Sequence, residues 1–203
     1  MPHSHKHRFV STLHRTVRRL CREQGGKMVT PIFQGQLDGR GVCRAVVTHW
    51  LASFMDSLAL DDRAHLEVCR YKLRHIRRYI SQFRAIHGDF HFHLQTPSLD
   101  AVCIYRKKVE ILKRTWKLAR LGDSIPFLHN GYYYISIGSK HGMGMKLCDD
   151  GVWFIDANSC EFHFPSIGKF SIFFKRYVTA LYPSWGQVPT QLFAMDVQGK
   201  VSD

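Results

Sequence analysis

Three residues, Cys43, His141 and Asp156, are of the types and in the local settings that nucleophilic acyl chemistry needs. A cysteine attacks as thiolate, and its free pKa of roughly 8.5 must be lowered for that form to be present at neutral pH. A helix N-terminus lowers it through its partial positive charge, and a neighbouring imidazole lowers it further by forming an ion pair. Six cysteines are present, at 21, 43, 69, 103, 148 and 160. Among them only Cys43 opens a helical apolar stripe behind a glycine-rich loop, with Gly35, Gly39 and Gly41 leaving room for a substrate backbone. In isolation it reads more readily as a buried structural cysteine at a helix start.

A partner base is needed next. Of thirteen histidines, His141 stands apart because it follows Gly138–Ser139 at the start of a strand pattern and is flanked by Gly142 and Gly144. Small neighbours leave space for an imidazole to face a substrate. Fifteen residues on, Asp156 ends the run Val152-Trp153-Phe154-Ile155-Asp156, where a carboxylate can accept the imidazole N–H, fix its tautomer and stabilise imidazolium. Taken singly, His141 is an ordinary strand histidine and Asp156 an ordinary turn residue. The joint arrangement, a cysteine heading a helix and then His and Asp on adjacent strands, points to a thiol–imidazole–carboxylate set.

Those residues require elements to hold them. The spacing predicts a helix over 42–60, from Cys43, Val47, Trp50, Phe54 and Leu58, and a second over 63–87. A third is predicted over 98–120 from the line Val102, Tyr105, Val109, Leu112, Trp116 and Ala119, with Gly122 as its stop. After about residue 125 the pattern turns to strands: 132–137, 141–147, 152–156 after the Asp149-Asp150-Gly151 turn, and 160–164. Ser166-Ile167-Gly168 opens an apolar helix over 169–181 that Pro183 stops, and a last short strand is expected near 191–197. Helices followed by consecutive short strands imply an α+β fold, with N-terminal helices against a C-terminal antiparallel sheet.

Length and charge bound the rest. The chain has 203 residues, 45% of them hydrophobic, which suits one domain with a substantial core. Residues 1–30 read as a basic lead segment, flexible or secretion-related, partly helical from about 11 to 23 and ended by Gln24-Gly25-Gly26. Residues 31–203 read as the catalytic domain. No apolar run approaches the roughly 20 residues of a membrane-spanning helix. The scattered cysteines imply free thiols in a reducing environment. The formal charge of +13 is concentrated in residues 1–30, with seven Lys/Arg against one acid, and in 63–120, with fourteen against four. That asymmetry suits an acidic surface. Within it Arg74, Arg77 and Arg78 are the expected substrate- or membrane-facing group, and an anionic membrane is the expected non-protein partner. No zinc-finger or RNA-recognition spacing appears, so no specific nucleic acid is expected, and no metal or cofactor is called for.

Three segments carry a family resemblance. Gly41-Val42-Cys43 with Trp50 downstream resembles the nucleophile helix of the YopT-type cysteine peptidases. Lys140-His141-Gly142-Met143-Gly144 resembles that family's histidine segment. Trp153-Phe154-Ile155-Asp156-Ala157-Asn158-Ser159-Cys160-Glu161-Phe162 resembles its aromatic-rich aspartate segment, with Ala157 in place of the usual Pro and Cys160 in place of a frequent Gly. The order Cys, His, Asp and the gaps are similar, over residues 41 to about 180. The resemblance implies a papain-like fold and a monomeric bacterial effector or toxin protease, secreted and delivered into the host cytosol to cut a host protein. It also implies an oxyanion hole made by the Cys43 N–H and a side chain a few residues earlier. Gln34 and Gln36 can donate there, Asp38 cannot while ionised, and Gln36 is preferred. Asn158 is expected as a turn residue, with support of the Asp156 turn as its alternative role. The same three reacting groups serve acyltransferases and transglutaminase-like enzymes. A non-catalytic basic domain binding nucleic acid or anionic membrane is the reading of a different class.

Overall fold

An apolar residue at every second position gives a strand two distinct faces, and a helix stripe at three- and four-residue steps gives it one. The computed structural model of the chain describes residues 14–31, 43, 47, 50, 51, 109–138 and 141–197. Its centre is a seven-stranded sheet. The strands are β1 (Lys27–Pro31), β2 (Val109–Lys117), β3 (Gly131–Ile137), β4 (His141–Cys148), β5 (Gly151–Asp156), β6 (Cys160–Phe164) and β7 (Pro189–Val197). Their spatial order is β1-β6-β5-β4-β3-β7-β2. Every neighbouring pair is antiparallel. The α+β class expected from the sequence is the observed one.

Three helices cover one face of the sheet: α1 (residues 14–23), α2 (Leu118–Ser124) and α3 (Ile167–Leu181). Alternate strand residues such as Ile135, Met143, Met145, Phe154 and Phe162 point into this layer and are fully buried. They meet Val17 and Leu20 of α1, Leu121 of α2, and Phe170, Phe173, Phe174 and Tyr177 of α3 in one hydrophobic cluster. Phe154 and Phe162 each lie within about 6 Å of two or more α3 rings, several of them edge-on. The α3 helix starts where expected, with the Ser166 hydroxyl accepting from the Lys169 N–H. This aromatic seam fixes α3 against β5 and β6.

On the opposite face lies a further helix. Cys43, Val47, Trp50 and Leu51 are helical and buried, as the 42–60 stripe requires. The remainder of that helix, the helix predicted over 63–87 and residues 98–108 lie outside the described residues.

Two sequence expectations give way. The second half of the 98–120 pattern is the strand β2, which pairs along its whole length with β7, from Val109↔Val197 to Lys117↔Pro189. Val109, Ile111, Thr115 and Trp116 are good strand residues while Glu110, Leu112, Lys113 and Arg114 are good helix residues. A nine-residue ladder on an existing sheet decides between them. Gly122, read as a helix stop, sits inside α2. A Cβ there would lie 2.5 Å from Lys175 Cγ, and the Gly122 carbonyl accepts from Ser171 Oγ at 2.7 Å, so the glycine serves the α2–α3 crossing.

Residues 14–31 belong to this body. Val17, Leu20 and Cys21 are in the core, and β1 pairs with β6 from Lys27↔His163 to Pro31↔Cys160. The predicted stop at Gln24-Gly25-Gly26 is a Schellman cap: Gly26 N–H donates to Cys21 O and Gly25 N–H to Arg22 O, both at 2.9 Å, with Gly25 at φ +67°. No helix among the described residues is long and apolar enough to cross a membrane.

The seam between the sheet and α3 carries much of the stability. Phe162→Ala is expected to cost about 3–5 kcal/mol, the usual range for emptying a buried phenylalanine site. Urea unfolding followed by circular dichroism measures it.

Candidate active site

The site lies where β4 and β5 end beside the Cys43 helix. Strand pairing puts Met143 opposite Asp156 on neighbouring strands, so His141, two residues earlier on β4, sits just past the end of β5. The turn Asp156-Ala157-Asn158-Ser159 is closed by Ser159 N–H on Asp156 O at 2.9 Å. It leaves the Asp156 side chain on the α3 face. Cys43, His141 and Asp156 are 2%, 1% and 0% exposed. The site is therefore shielded from bulk water, where electrostatic interactions are strong.

The structure brings all three residues together. His141 Nε2 is 2.8 Å from Asp156 Oδ1. That contact leaves Nδ1 free to face the sulphur, and the His141 side chain and the Gly142 backbone N–H both favour the ionised form of Cys43. Burial works against ionising Cys43. The His141 hydrogen bond and charge and the Gly142 N–H outweigh it and bring the thiol below its ordinary range, with the Asp156 charge opposing them. Burial also disfavours a charged His141. The Asp156 charge and hydrogen bond, with smaller help from Cys43, nevertheless push it up to about 10. The arrangement favours thiolate at Cys43 and imidazolium at His141, with a carboxylate behind them.

Asp156 holds this arrangement because its own charge is satisfied. Complete burial would raise its pKa. The charge and hydrogen bond of His141, followed by the hydroxyls of Tyr182 and Tyr177, hold it below the usual carboxylate range. Four donors reach the two oxygens. His141 Nε2 and the Asn158 backbone N–H, each at 2.8 Å, meet Oδ1. Tyr182 OH at 2.6 Å and Tyr177 OH at 2.7 Å meet Oδ2. Burial and the Asp156 charge push both phenols well above their ordinary range, so they remain protonated donors. The network continues through Ser159 Oγ on Tyr177 OH and Asn158 Nδ2 on Tyr182 OH at 3.0 Å. Asn158 thus supplies two hydrogen bonds to the site, which is the supporting role weighed beside that of a plain turn residue.

Aromatic rings wall the imidazole. Tyr182 lies 5.6 Å from the His141 ring and Trp185 6.2 Å, and Tyr182 and Trp185 stack at 4.7 Å. These residues come from the end of α3 and the following 3-10 turn, Pro183–Trp185. The sequence reading missed Tyr177 and Tyr182 because both continue the aromatic stripe of α3 and look like core. Their signal was present in the hydroxyls. Two phenols on a buried face need acceptors, and a buried carboxylate is the strongest one available.

The other sequence candidates are not part of what is described. Gln34 and Gln36, and the basic group Arg74, Arg77 and Arg78, lie outside the described residues. Among the described residues no group of three or more His, Cys, Asp or Glu side chains is placed to hold a metal. The free thiols among them include Cys148, bonded to Gly151 O, and Cys160, bonded to Glu161 O at 3.0 Å.

The raised His141 pKa has a definite pH signature. A group whose folded pKa is raised contributes stability fully below its unfolded value, here 6.5, and loses it as pH rises through the folded value. The His141 ring is therefore expected to stay protonated through pH 8 and to lose its proton around pH 10. NMR titration of labelled histidine follows it directly; a midpoint near 6.5 would contradict the ion pair.

No protein-family model matches the chain, and no curated protein is similar to it in sequence at a significant level. Solved structures are similar to it in fold. The Pseudomonas avirulence protein AvrPphB superposes with a TM-score of 0.55 at 14% identity, over 79% of this chain and 94% of that one. PatoxP, a cysteine protease-like domain of the Photorhabdus asymbiotica toxin PaTox, superposes with a TM-score of 0.54 at 10% identity. That match covers 96% of this chain and 62% of that one. At such identities the likeness is one of fold, and the fold is that of cysteine protease-like proteins.

Proposed function

We propose that this chain is a thiol peptidase of the YopT type, an effector or toxin that cuts a host protein through Cys43. One observation carries the reading. A buried cysteine has its ionisation favoured by an imidazole that a fully buried carboxylate holds at 2.8 Å. A structural cysteine needs none of this, and burying a charged pair without use is costly.

The mechanism follows from the groups present. Cys43 Sγ attacks the carbonyl carbon of the scissile amide, and the carbonyl oxygen becomes an oxyanion. The Cys43 backbone N–H and the Gln36 side chain are the proposed donors to it. His141 passes its Nδ1 proton to the leaving amine as the C–N bond breaks, leaving a thioester on Cys43. Neutral His141 then takes a proton from water as its oxygen attacks the thioester, the C–S bond breaks, and the acid and the Cys43 thiolate are released beside imidazolium. Asp156 keeps Nε2 protonated and stabilises imidazolium at each stage, without itself taking the proton. No metal or cofactor enters these steps.

The substrate is proposed to be a host protein, met in the host cytosol after secretion and delivery, with the chain acting as a monomer. The basic group Arg74, Arg77 and Arg78 is proposed to attract an anionic membrane carrying that substrate. The fold likeness to an avirulence protein and to a toxin domain supports this setting. An amine acceptor in place of water would make the same site a transferase, since the thioester step is common to both.

Two measurements test the proposal. Cys43→Ala is expected to fold normally and to lose all activity when wild type and variant are incubated with host lysate and new protein termini are mapped by mass spectrometry. Mass-shifted side chains without new termini would assign acyl transfer instead. His141→Ala is expected to slow iodoacetamide alkylation of Cys43 near neutral pH by roughly tenfold to a hundredfold, because an unassisted thiol of pKa about 8.5 is then mostly protonated. Equal rates would remove the ion pair from the account.

A further inference from the structure

The two halves of the site come from different layers. His141 and Asp156 stand on the sheet, and Cys43 stands on a helix packed on the sheet's other face. Something must set the height and rotation of that helix to a fraction of an ångström, because a thiolate–imidazolium pair is sensitive to small displacements. Two contacts among the described residues do this, and neither touches the reacting atoms.

The first is polar. Trp50 lies seven residues after Cys43, two helical turns along the same buried stripe. Its indole Nε1–H donates to Glu161 Oε1 at 2.8 Å, and Glu161 is a fully buried residue of β6. Strand pairing sets Glu161 opposite Ile155, next to Asp156. The bond therefore ties the nucleophile helix to the same β5–β6 hairpin that carries the carboxylate. The second contact is steric. On β4, Gly144 stands three residues after His141, and a Cβ there would come within 2.9 Å of Ile155 Cγ2, 3.0 Å of Val47 Cγ1 and 3.1 Å of Trp50 Cε3. A glycine is what lets the helix seat at this depth. A side chain would lift it away from the strand that carries the imidazole.

We propose that Trp50 and Glu161, with Gly144 beneath them, are positioning residues that hold Cys43 in register with His141. This rests on the thiol-enzyme reading and deepens it. Glu161 acts as a hydrogen-bond acceptor at a fixed height on the sheet, and Trp50 transmits that height to the helix. The contact between sulphur and imidazole depends on it without sharing an atom with it. Buried polar pairs of this kind specify one packing among several that an apolar interface would tolerate.

The test reads the pH dependence of Cys43 alkylation by iodoacetamide in the full chain, with the labelled residue identified by mass spectrometry. Near-ultraviolet circular dichroism and a cooperative thermal transition establish that each variant is folded. In Trp50→Phe, Glu161→Ala and Gly144→Ala the midpoint for alkylation is expected to rise by about one pH unit or more, equivalent to a tenfold loss of rate at about pH 6. Near pH 9.5, where any thiol is largely ionised, the rates are expected to stay within about threefold of wild type. Glu161→Gln keeps an acceptor oxygen on the same stem and is expected to retain the wild-type profile. A purely structural role would lower the melting temperature and leave the midpoint of the folded protein unmoved. Should Glu161→Ala fail to fold, Trp50→Phe decides the matter, since it removes the donor while keeping an apolar aromatic ring at the site. Folded Trp50→Phe and Gly144→Ala with wild-type profiles would overturn the proposal. A wild-type Cys43 that reacts as an ordinary thiol would be a different result, and would defeat the enzyme reading itself.

Discussion

A carboxylate with no exposure to water is the constraint from which the rest of this site follows. Desolvating an isolated charge costs several kcal/mol even after relaxation, so Asp156 can be ionised only if its oxygens are fully engaged. Four donors meet them: an imidazole, a backbone N–H and two phenols. Hydrogen bonds to a charged acceptor contribute roughly 1.5–3 kcal/mol each, so four of them are of the right size to offset the burial. Once ionised, Asp156 makes imidazolium favourable at His141. Imidazolium in turn makes thiolate favourable at Cys43. Each step borrows its stability from the one before, and the chain of dependence starts at the buried carboxylate.

The fold supplies those donors from separate places, which explains why so much of it is aromatic. Tyr177 and Tyr182 reach Asp156 only because α3 lies flat on β5 and β6. The rings of Phe154, Phe162, Phe170 and Phe173 hold it there. The spacing matters. Tyr177 follows Phe170, Phe173 and Phe174 on the buried face, while Tyr182 caps the helix and begins the turn to Trp185. Core packing and site geometry are thus the same set of contacts seen from two ends. A phenylalanine at 177 would keep the packing and lose a donor.

How much of this the sequence disclosed depends on whether a residue announces its role locally. Cys43, His141 and Asp156 were legible because their neighbours are distinctive: glycines before the cysteine, glycines around the histidine, and a buried strand ending in an acid. The strands from 131 to 164 were legible from aromatic and β-branched residues, partial alternation and the Asp149-Asp150-Gly151 turn, and the helix after Ser166 from its apolar run and the Pro183 stop. The stretch 109–117 was not, since its residues satisfy a helical stripe and a strand almost equally, and its state is set by pairing with β7, some eighty residues later. Tyr177, Tyr182 and Glu161 were hidden for a related reason. Each reads as core or as motif filler until the partner it meets across the fold is known. Residues 14–31 looked like a charged lead because their exposed arginines dominate the composition, while Val17, Leu20 and Cys21, which decide their fate, are few.

Cys43 and His141 come from different layers, and besides their mutual interaction the layers are joined by packing and by the buried Trp50–Glu161 hydrogen bond. Such a join is stiff only while the interface is close-packed, because dispersion and a fixed hydrogen bond both fall away with small separations. The sheet and its α3 seam can remain native while the Cys43 helix shifts by less than an ångström. Reactivity of the thiolate is therefore a finer reporter of this interface than unfolding is. The residues that matter to it, Trp50, Gly144 and Glu161, belong to the chemistry through geometry alone.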